Sequence, residues 1–225
     1  MKKFLMAAMC LIIASSFVFA EQVDRKAIYK ERKEISKLAN KELTKRVNKD
    51  AKKEAKRLGK EGWQVTPGAL PLARQLDRSF EMEYDYDENL FPKYIMATAI
   101  SVGENYDAAK TAALSLATTN LASQIQQEVT ALIENTVANE QIKAGEATSL
   151  VETVMASKNL ISQSIGRTIT VVECYRILEN RNREVMVRIA YNGDMAKAAA
   201  KKAVRQSLEE KGQDLHEQLD KALGL

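Results

Sequence analysis

The residues that could carry catalytic chemistry are few and lie far apart along the chain. The single histidine, His216, stands in a charged C-terminal segment, so acid–base or metal chemistry would depend on one exposed imidazole. Cys174 stands among β-branched residues, and a nucleophilic pair with His216 would require the C-terminal segment to fold back onto that strand. We read Glu173, its neighbour, as an edge or solvent-face residue, since an acid there would matter only within a cleft.

Sequence signatures of common catalytic and metal sites do not occur in this chain. HExxH, CxxC, GxSxG and GxxxxGK[ST] are all missing. The acidic segment from Glu81 to Asn89 spaces its carboxylates in a loosely calcium-like way, but it lacks the Gly and the closing Glu of an EF-hand loop. A solvated helix end and loop is the favoured interpretation. We therefore predict a non-enzyme with no catalytic residue, no metal ligand and no cofactor.

Residues 1–20 have the pattern of a cleaved signal peptide. Lys2 and Lys3 precede an uncharged apolar run, which ends in small residues at the −3 and −1 positions of a cut after Ala20. The run is shorter than the roughly 20 residues of a membrane span, which disfavours an uncleaved anchor. Lipidation of Cys10 is a minority interpretation, because Met9 precedes it and apolar residues follow. The pattern predicts export to the periplasm or the outer-membrane periphery of a Gram-negative bacterium.

Removal of residues 1–20 would leave Cys174 as the sole thiol, which excludes an intrachain disulfide. In an oxidising compartment a lone cysteine can pair between chains or lie buried and inert. The β-branched residues around Cys174 favour the buried alternative.

Residues 21–62 form a predicted charged helical arm, with a helix over about 24–58. Residues 21–61 hold 15 Lys and Arg against 8 Asp and Glu, and the apolar positions form a thin stripe. Three interpretations stay open: a solvated helix along its own domain, a helix that pairs with another chain or the C-terminal helix, or a membrane-surface or nucleic-acid binder. The stripe lacks bulky residues for membrane insertion, and no aromatic residue interleaves the basic ones for base stacking.

Residues 63–93 read as a linker with a short helix. Trp63, the only tryptophan, is interpreted as an anchor that fixes the arm to the globular part. Pro71 can begin a helix through Leu72, Leu76 and Phe80.

Residues 94–205 carry the periodicities of one small domain. Tyr94 to Val102 predicts a strand that ends at Gly103, and either Asn105 or Asp107 can cap the helix that follows. That helix steps by four on small residues and then on large ones, which predicts close packing on a sheet. The stepping positions are Ala109, Ala113, Ala117, Leu121, Ile125, Val129 and Ile133.

A second helix, a hairpin and a last helix complete the predicted domain. Ser149 and Glu152 resemble a capping box, and Leu150, Val151, Val154, Met155, Ile161 and Ile165 are expected to form one apolar face. Residues 168–178 and 184–191 predict two antiparallel strands. The fold class is therefore α+β, a two-layer unit of about three antiparallel strands packed on helices in the order strand-helix-helix-strand-strand-helix, plus the long N-terminal charged helix.

Residues 206–225 are predicted to be a C-terminal helical extension. Leu215, Leu219 and Leu223 form a narrow seam, which suits a partner helix better than a core. Glu209 to Asp220 is acidic, so we expect it to lie against the basic N-terminal helix, within a chain or between chains.

The residues from the first strand to the hairpin resemble a known family. The strand ending in Gly103, the run from Ala109 to Gln124 and Ile125, the second helix and the hairpin resemble the small outer-membrane lipoprotein domain of Gram-negative bacteria, and are similar to the N-terminal domain of flagellar assembly protein T. The whole chain also resembles secreted proteins of gut Bacteroidota that share the GW-x-V-x-PG-x-LPL segment at Gly62 to Leu72. The resemblance implies an envelope structural or adaptor role and brings no catalytic residues, and the chain lacks the family's lipobox.

Export, a compact domain and two helical ends together predict a non-catalytic envelope protein. It would act as a structural, adaptor or assembly module through a protein partner or self-association of its terminal helices. The alternatives are a secreted hydrolase with an unrecognised carboxylate site and a peripheral membrane-surface binder that uses the basic helix. Nucleic acid is not favoured as a partner, and the sequence identifies no small-molecule ligand.

Overall fold

The computed structural model describes residues 26, 29–30, 32–37, 45–88, 91–139, 142–211 and 215–224. Contacts divide the chain into two units, Met1–Arg46 and Val47–Leu225. The predicted signal peptide lies outside the described residues, as does much of the predicted helix over 24–58. That helix is interrupted, because residues 46–48 are not helical and the side chain of Asn48 caps a new helix by accepting a hydrogen bond from the Asp50 N–H, 3.1 Å away.

The unit from Val47 onward is an α+β domain, which confirms the predicted class. Its helices and strands occur in the order α1 (Lys49–Lys60), α2 (Leu72–Glu83), β1 (Tyr94–Gly103), α3 (Tyr106–Ala138), α4 (Ala144–Ala156), α5 (Lys158–Ser164), β2 (Ile169–Ile177), β3 (Arg183–Asn192), α6 (Gly193–Lys211) and α7 (His216–Leu223). The three strands form an antiparallel sheet in the order β1-β3-β2, so the hairpin strand β3 is central.

Helix α3 packs its small residues against one face of the sheet, which we call the first face, and the opposite face is the second face. The predicted four-residue ladder is confirmed, since all seven of its members, from Ala109 to Ile133, are at most 1 % exposed. Asn105 is the cap, because its side chain accepts a hydrogen bond from the Ala108 N–H. The approach is closest at Gly103, where a Cβ atom would lie 2.7 Å from the backbone nitrogen of Ala109. The absence of a side chain there lets the helix turn directly back onto the strand.

The predicted second helix is two helices, α4 and α5, which meet at Ser157. The predicted capping box at Ser149 is wrong, because α4 begins five residues earlier and Glu146 accepts the bond from the Lys143 N–H, 3.3 Å away. Met155 is 60 % exposed and does not belong to the apolar face. The face changes direction at the junction, so a single helical period does not describe both segments.

The C-terminal helix α7 is part of the core, which corrects the expected use of its seam. Leu219 is fully buried and Leu223 is 3 % exposed, in one cluster with residues of α3, α4 and α6. The carboxylate of Asp220 pairs with Lys201 Nζ at 3.0 Å and with Arg205 Nη2 at 2.6 Å, both on α6. The leucine seam and this acid therefore contact the preceding helices of the same domain.

Helices α1 and α2 add packing on the second face of the sheet. Trp63 lies between them and the sheet and is 7 % exposed, with the Arg176 guanidinium 4.8 Å from the centre of its ring. As interpreted from the sequence, Trp63 anchors the preceding helix to the domain. The cluster on this face is small, and its buried members are Ala51, Leu58, Trp63, Leu76, Val172 and Cys174.

Candidate binding cleft

The structure separates the two residues whose side chains could have formed a nucleophilic pair. Cys174 is 1 % exposed and packs with α1 and α2 on the second face of the sheet. Burial, together with the charge of Glu173, raises the pKa of its thiol to about 12. His216 begins α7, which packs with α3, α4 and α6 on the other side. A Cys–His pair is therefore not formed, and Cys174 is a buried packing residue.

Glu173 lies on the edge strand β2, as predicted, but it is tied to α3. The Tyr106 hydroxyl donates a hydrogen bond to its carboxylate, and Lys110 Nζ lies 2.9 Å from the same oxygen. Burial and this carboxylate raise the pKa of Tyr106. The Tyr106 ring meets Tyr175 edge-on, with ring centres 5.4 Å apart. Both hydrogen-bond partners come from the start of α3, so the cluster fastens that helix to the outer strand.

The acidic residues at the end of α2 and just after it pair with separate partners. Asp85 pairs with Lys93 at 2.8 Å, Asp87 accepts a hydrogen bond from the Phe91 N–H at 2.8 Å, and Glu83 pairs with an arginine of β3. In the part of the chain that the structure describes, no three His, Cys, Asp or Glu side chains are grouped to hold a metal ion.

A cleft lies between α1, α2 and the second face of the sheet, and we call it the α1 cleft. It encloses about 710 Å³ and is open to solvent on one side. Val172 and Met186 form its apolar floor, and Leu58, Leu76 and Phe80 line its walls. Such a volume with a largely apolar lining is in the range of small-molecule sites.

Arg188 is the polar group at the floor of the α1 cleft. Two residues of α2 hold its side chain in place, because the guanidinium donates hydrogen bonds to the Ser79 hydroxyl at 2.9 Å and to the Glu83 carboxylate at 2.6 Å. Register places it beside Thr98 of β1 and Val172 of β2. Its buried Nε atom has no acceptor among the described residues. One donor of a charged group is thus held in position without a partner.

The rim of the α1 cleft is positively charged. Arg57 is neutralised by Glu54 at 2.5 Å and Glu61 at 2.7 Å. The remaining basic side chains form no ion pair within the described residues and recur on one face of α1 at intervals of three and four. They are Lys53, Lys56 and Lys60.

The apolar surface continues along β1 beyond the α1 cleft. Ile100 and Val102 point to the second face of the sheet and are 48 % and 46 % exposed. Ile100 lies opposite Met186 of the floor in the strand register. A polypeptide seated in the α1 cleft would therefore find a further apolar contact on the open half of the sheet.

Sequence reasoning missed the cleft residues Met186 and Arg188. Both lie on the second face of the predicted hairpin strand, and the alternation of Val185, Val187 and Ile189 on the other face was the available signal. The alternation predicts which residues lie on this face, but it does not predict that α1 and α2 cover only part of it.

Comparison with known proteins provides no relative from which the role of this site could be inferred. Searches of the chain against protein families, curated proteins and solved structures found no match. Among the helices of the described residues, none combines the length and the apolar composition that a membrane span requires.

Proposed function

We propose that this protein is a non-catalytic adaptor of the cell envelope that holds an apolar segment of a partner polypeptide in the α1 cleft. The observation that carries the proposal is the combination of an apolar floor with three lysines on one rim that form no ion pair with any residue the structure describes. The predicted signal peptide is the reason for placing the adaptor in the cell envelope. Of the two helical ends first considered for partner binding, the proposal keeps α1, since the seam of α7 is buried.

The charges of the rim favour a partner segment with acidic flanks. Lys53, Lys56 and Lys60 project where residues beside an apolar anchor would lie, and opposite charges speed association and fix orientation.

The acids of the α1 cleft support binding rather than catalysis. A carboxyl that acts as a general acid near neutral pH usually has its pKa raised by burial. Here a hydrogen bond from Arg57 lowers the pKa of Glu54, and Asp50 is exposed on the first turn of α1.

Site-specific photo-crosslinking tests the proposal. A benzophenone amino acid replaces Lys56 on the rim or, as control, exposed Met195 on α6, and the full chain is irradiated in envelope extract. We expect an adduct from position 56 that maps to an apolar segment with neighbouring acids. Adding Lys53→Glu and Lys60→Glu should weaken its formation at least tenfold.

Three outcomes would contradict the proposal. Equal adducts from positions 56 and 195 would mean that capture is unspecific. A phospholipid adduct alone would favour the membrane-surface alternative. Adducts that persist unchanged after the charge reversals and after Met186→Lys would remove the α1 cleft from the interaction, since Met186 forms its floor.

A further inference from the structure

The outer edge of β1 presents unpaired backbone groups. On the other edge strand, β2, the backbone N–H and C=O of Tyr175 both bond to Gln64, at 2.9 and 2.8 Å. These two groups of Tyr175 therefore point away from β3. In antiparallel strands, backbone N–H and C=O groups point alternately to the two neighbouring strands. Following this alternation from β2 across β3, the odd-numbered residues of β1, such as Ala97 opposite Ile189, bond to β3. The backbone groups of the even-numbered residues of β1 therefore point away from the sheet. Those residues include Met96, Thr98, Ile100 and Val102.

A side chain already occupies one of these outward positions as a strand would. The amide of Asn120 on α3 donates to the Thr98 carbonyl at 3.0 Å. This is the bond that the N–H group of an added strand would make. Within the described residues, no strand pairs with this edge of the sheet.

The sequence of β1 has none of the features that normally protect an edge strand. Such strands are commonly short or carry charges, proline or bulges. β1 is 10 residues long, its sequence YIMATAISVG contains neither a charged residue nor proline, and its pairing with β3 is continuous. A long, uncharged edge is a template for another strand.

A polar groove follows this edge from Tyr94 to Thr98, and we call it the β1 groove. It encloses about 510 Å³. One wall belongs to α3, with Asn120, Ser123 and Gln124, whose side chains can hydrogen-bond to a peptide backbone. The other wall belongs to the end of α2 and the segment after it.

Of the two carboxylates that line the β1 groove, Glu128 is the one whose charge no described residue balances. Glu83 is paired with Arg188, whereas Glu128 forms no ion pair with any described residue. Burial raises the pKa of Glu128. A cationic side chain placed beside it would stabilise the ionised carboxylate.

We propose that the outer edge of β1 accepts an extended segment of a different polypeptide, which adds as a fourth strand and places a Lys or Arg beside Glu128. A second copy fits less well, because two β1 edges in contact would bring no basic residue of either strand to Glu128. The edge lies next to the α1 cleft, with which it shares Thr98 and Arg188, but strand addition does not depend on occupation of that cleft.

Peptide selection with matched variants tests the proposal. Random linear dodecapeptides displayed on phage are selected on the full chain, and their affinities are measured by fluorescence polarisation. We expect alternating β-branched residues and one Lys or Arg. Met96→Pro removes an outward N–H without breaking the ladder to β3, and should weaken binding at least about tenfold relative to Met96→Thr, which keeps the donor.

A charge variant and hydrogen exchange keep the test independent of the proline. Glu128→Gln should weaken binding of the Lys- or Arg-bearing peptides about fivefold. Bound peptide should slow exchange of the Met96 and Ile100 amides, and Lys53→Glu should leave the affinity unchanged. This last arm separates strand addition from the α1 cleft.

Specific results would overturn strand addition. They are failure to select any peptide, equal affinity of Met96→Pro and Met96→Thr, or unchanged exchange at the β1 amides in the complex. Sedimentation that shows a dimer of the free chain, abolished by Met96→Pro, would make a second copy the occupant and contradict the proposal. If Met96→Pro does not fold, Glu128→Gln and the exchange data decide.

Discussion

The side-chain amide of Gln126 on α3 donates a hydrogen bond to the Val154 carbonyl in the last turn of α4, 2.8 Å away. The same amide lies 3.0 Å from the Met155 carbonyl, and Gln126 is only 5 % exposed. Carbonyls at the end of a helix have no partner within it, and a buried end must find one elsewhere. The Val154 carbonyl also accepts a hydrogen bond from the Ser157 N–H at 3.0 Å, so Gln126 adds a second donor there and supplies a donor to Met155, which fixes the junction of α4 and α5 against α3.

We therefore expect Gln126→Met to destabilise the protein by about 1–2 kcal/mol, because it keeps the side-chain volume but leaves the Met155 carbonyl without its donor. Gln127→Met is the matched control, since Gln127 is exposed on the same helix and should change stability by less than about 0.5 kcal/mol. Urea unfolding measures both. Equal free energies of unfolding for the two variants would mean that water replaces the bond.

Gly103→Ala tests the close approach of β1 and α3. The new Cβ would lie 2.7 Å from the backbone nitrogen of Ala109, where no flexible side chain can give way. We expect a loss of about 1–3 kcal/mol in the free energy of unfolding. Gly145→Ala is the control, because nothing lies within 4 Å of that Cβ and alanine favours the helix by up to about 1 kcal/mol. Thermal unfolding should shift in opposite directions, and a shared sign would contradict the crowding at Gly103.

The first face of the sheet was predictable, because its elements are strongly periodic. The ladder from Ala109 to Ile133 follows the 3.6-residue period of a helix, and the hairpin strands follow the two-residue period of a strand. Each element buries one face, which requires apolar residues at that period. The strand boundaries of the hairpin differ from those predicted by at most one residue.

The α1 cleft was not predictable, because it depends on tertiary packing of weak patterns. Ala51 and Leu58 form a stripe too thin to distinguish a packed helix from a solvated one. The neighbours of Arg188 across the sheet follow from strand register, which one sequence does not specify. For the same reason the buried Leu219 could be taken for an exposed seam.

Cys174 should be unreactive in the folded protein. Its thiol is 1 % exposed, and burial first and then the charge of Glu173 raise its pKa to about 12, so very little thiolate exists at pH 8. With Cys10→Ser in place, Cys174 is the only thiol, and we expect reaction with a disulfide reagent to be at least about a hundredfold slower than in denaturant. Rapid labelling of native protein, or an interchain disulfide under oxidising conditions, would contradict the burial.

The stability of the domain should depend on α7. Leu219 is fully buried among residues of α3 and α6, so Leu219→Ala should cost about 2–5 kcal/mol through lost contacts and a residual cavity. Leu116→Ala, at a site 48 % exposed on α3, makes the same chemical change and should cost less than about 1 kcal/mol. Calorimetric melting distinguishes the two variants. If Leu219→Ala melted at the same temperature as the wild type, α7 would be a dispensable extension and its leucine seam would be free to bind a partner. A large loss would confirm that the seam is part of the core and leave the α1 cleft and the edge of β1 as the two surfaces proposed for partner binding.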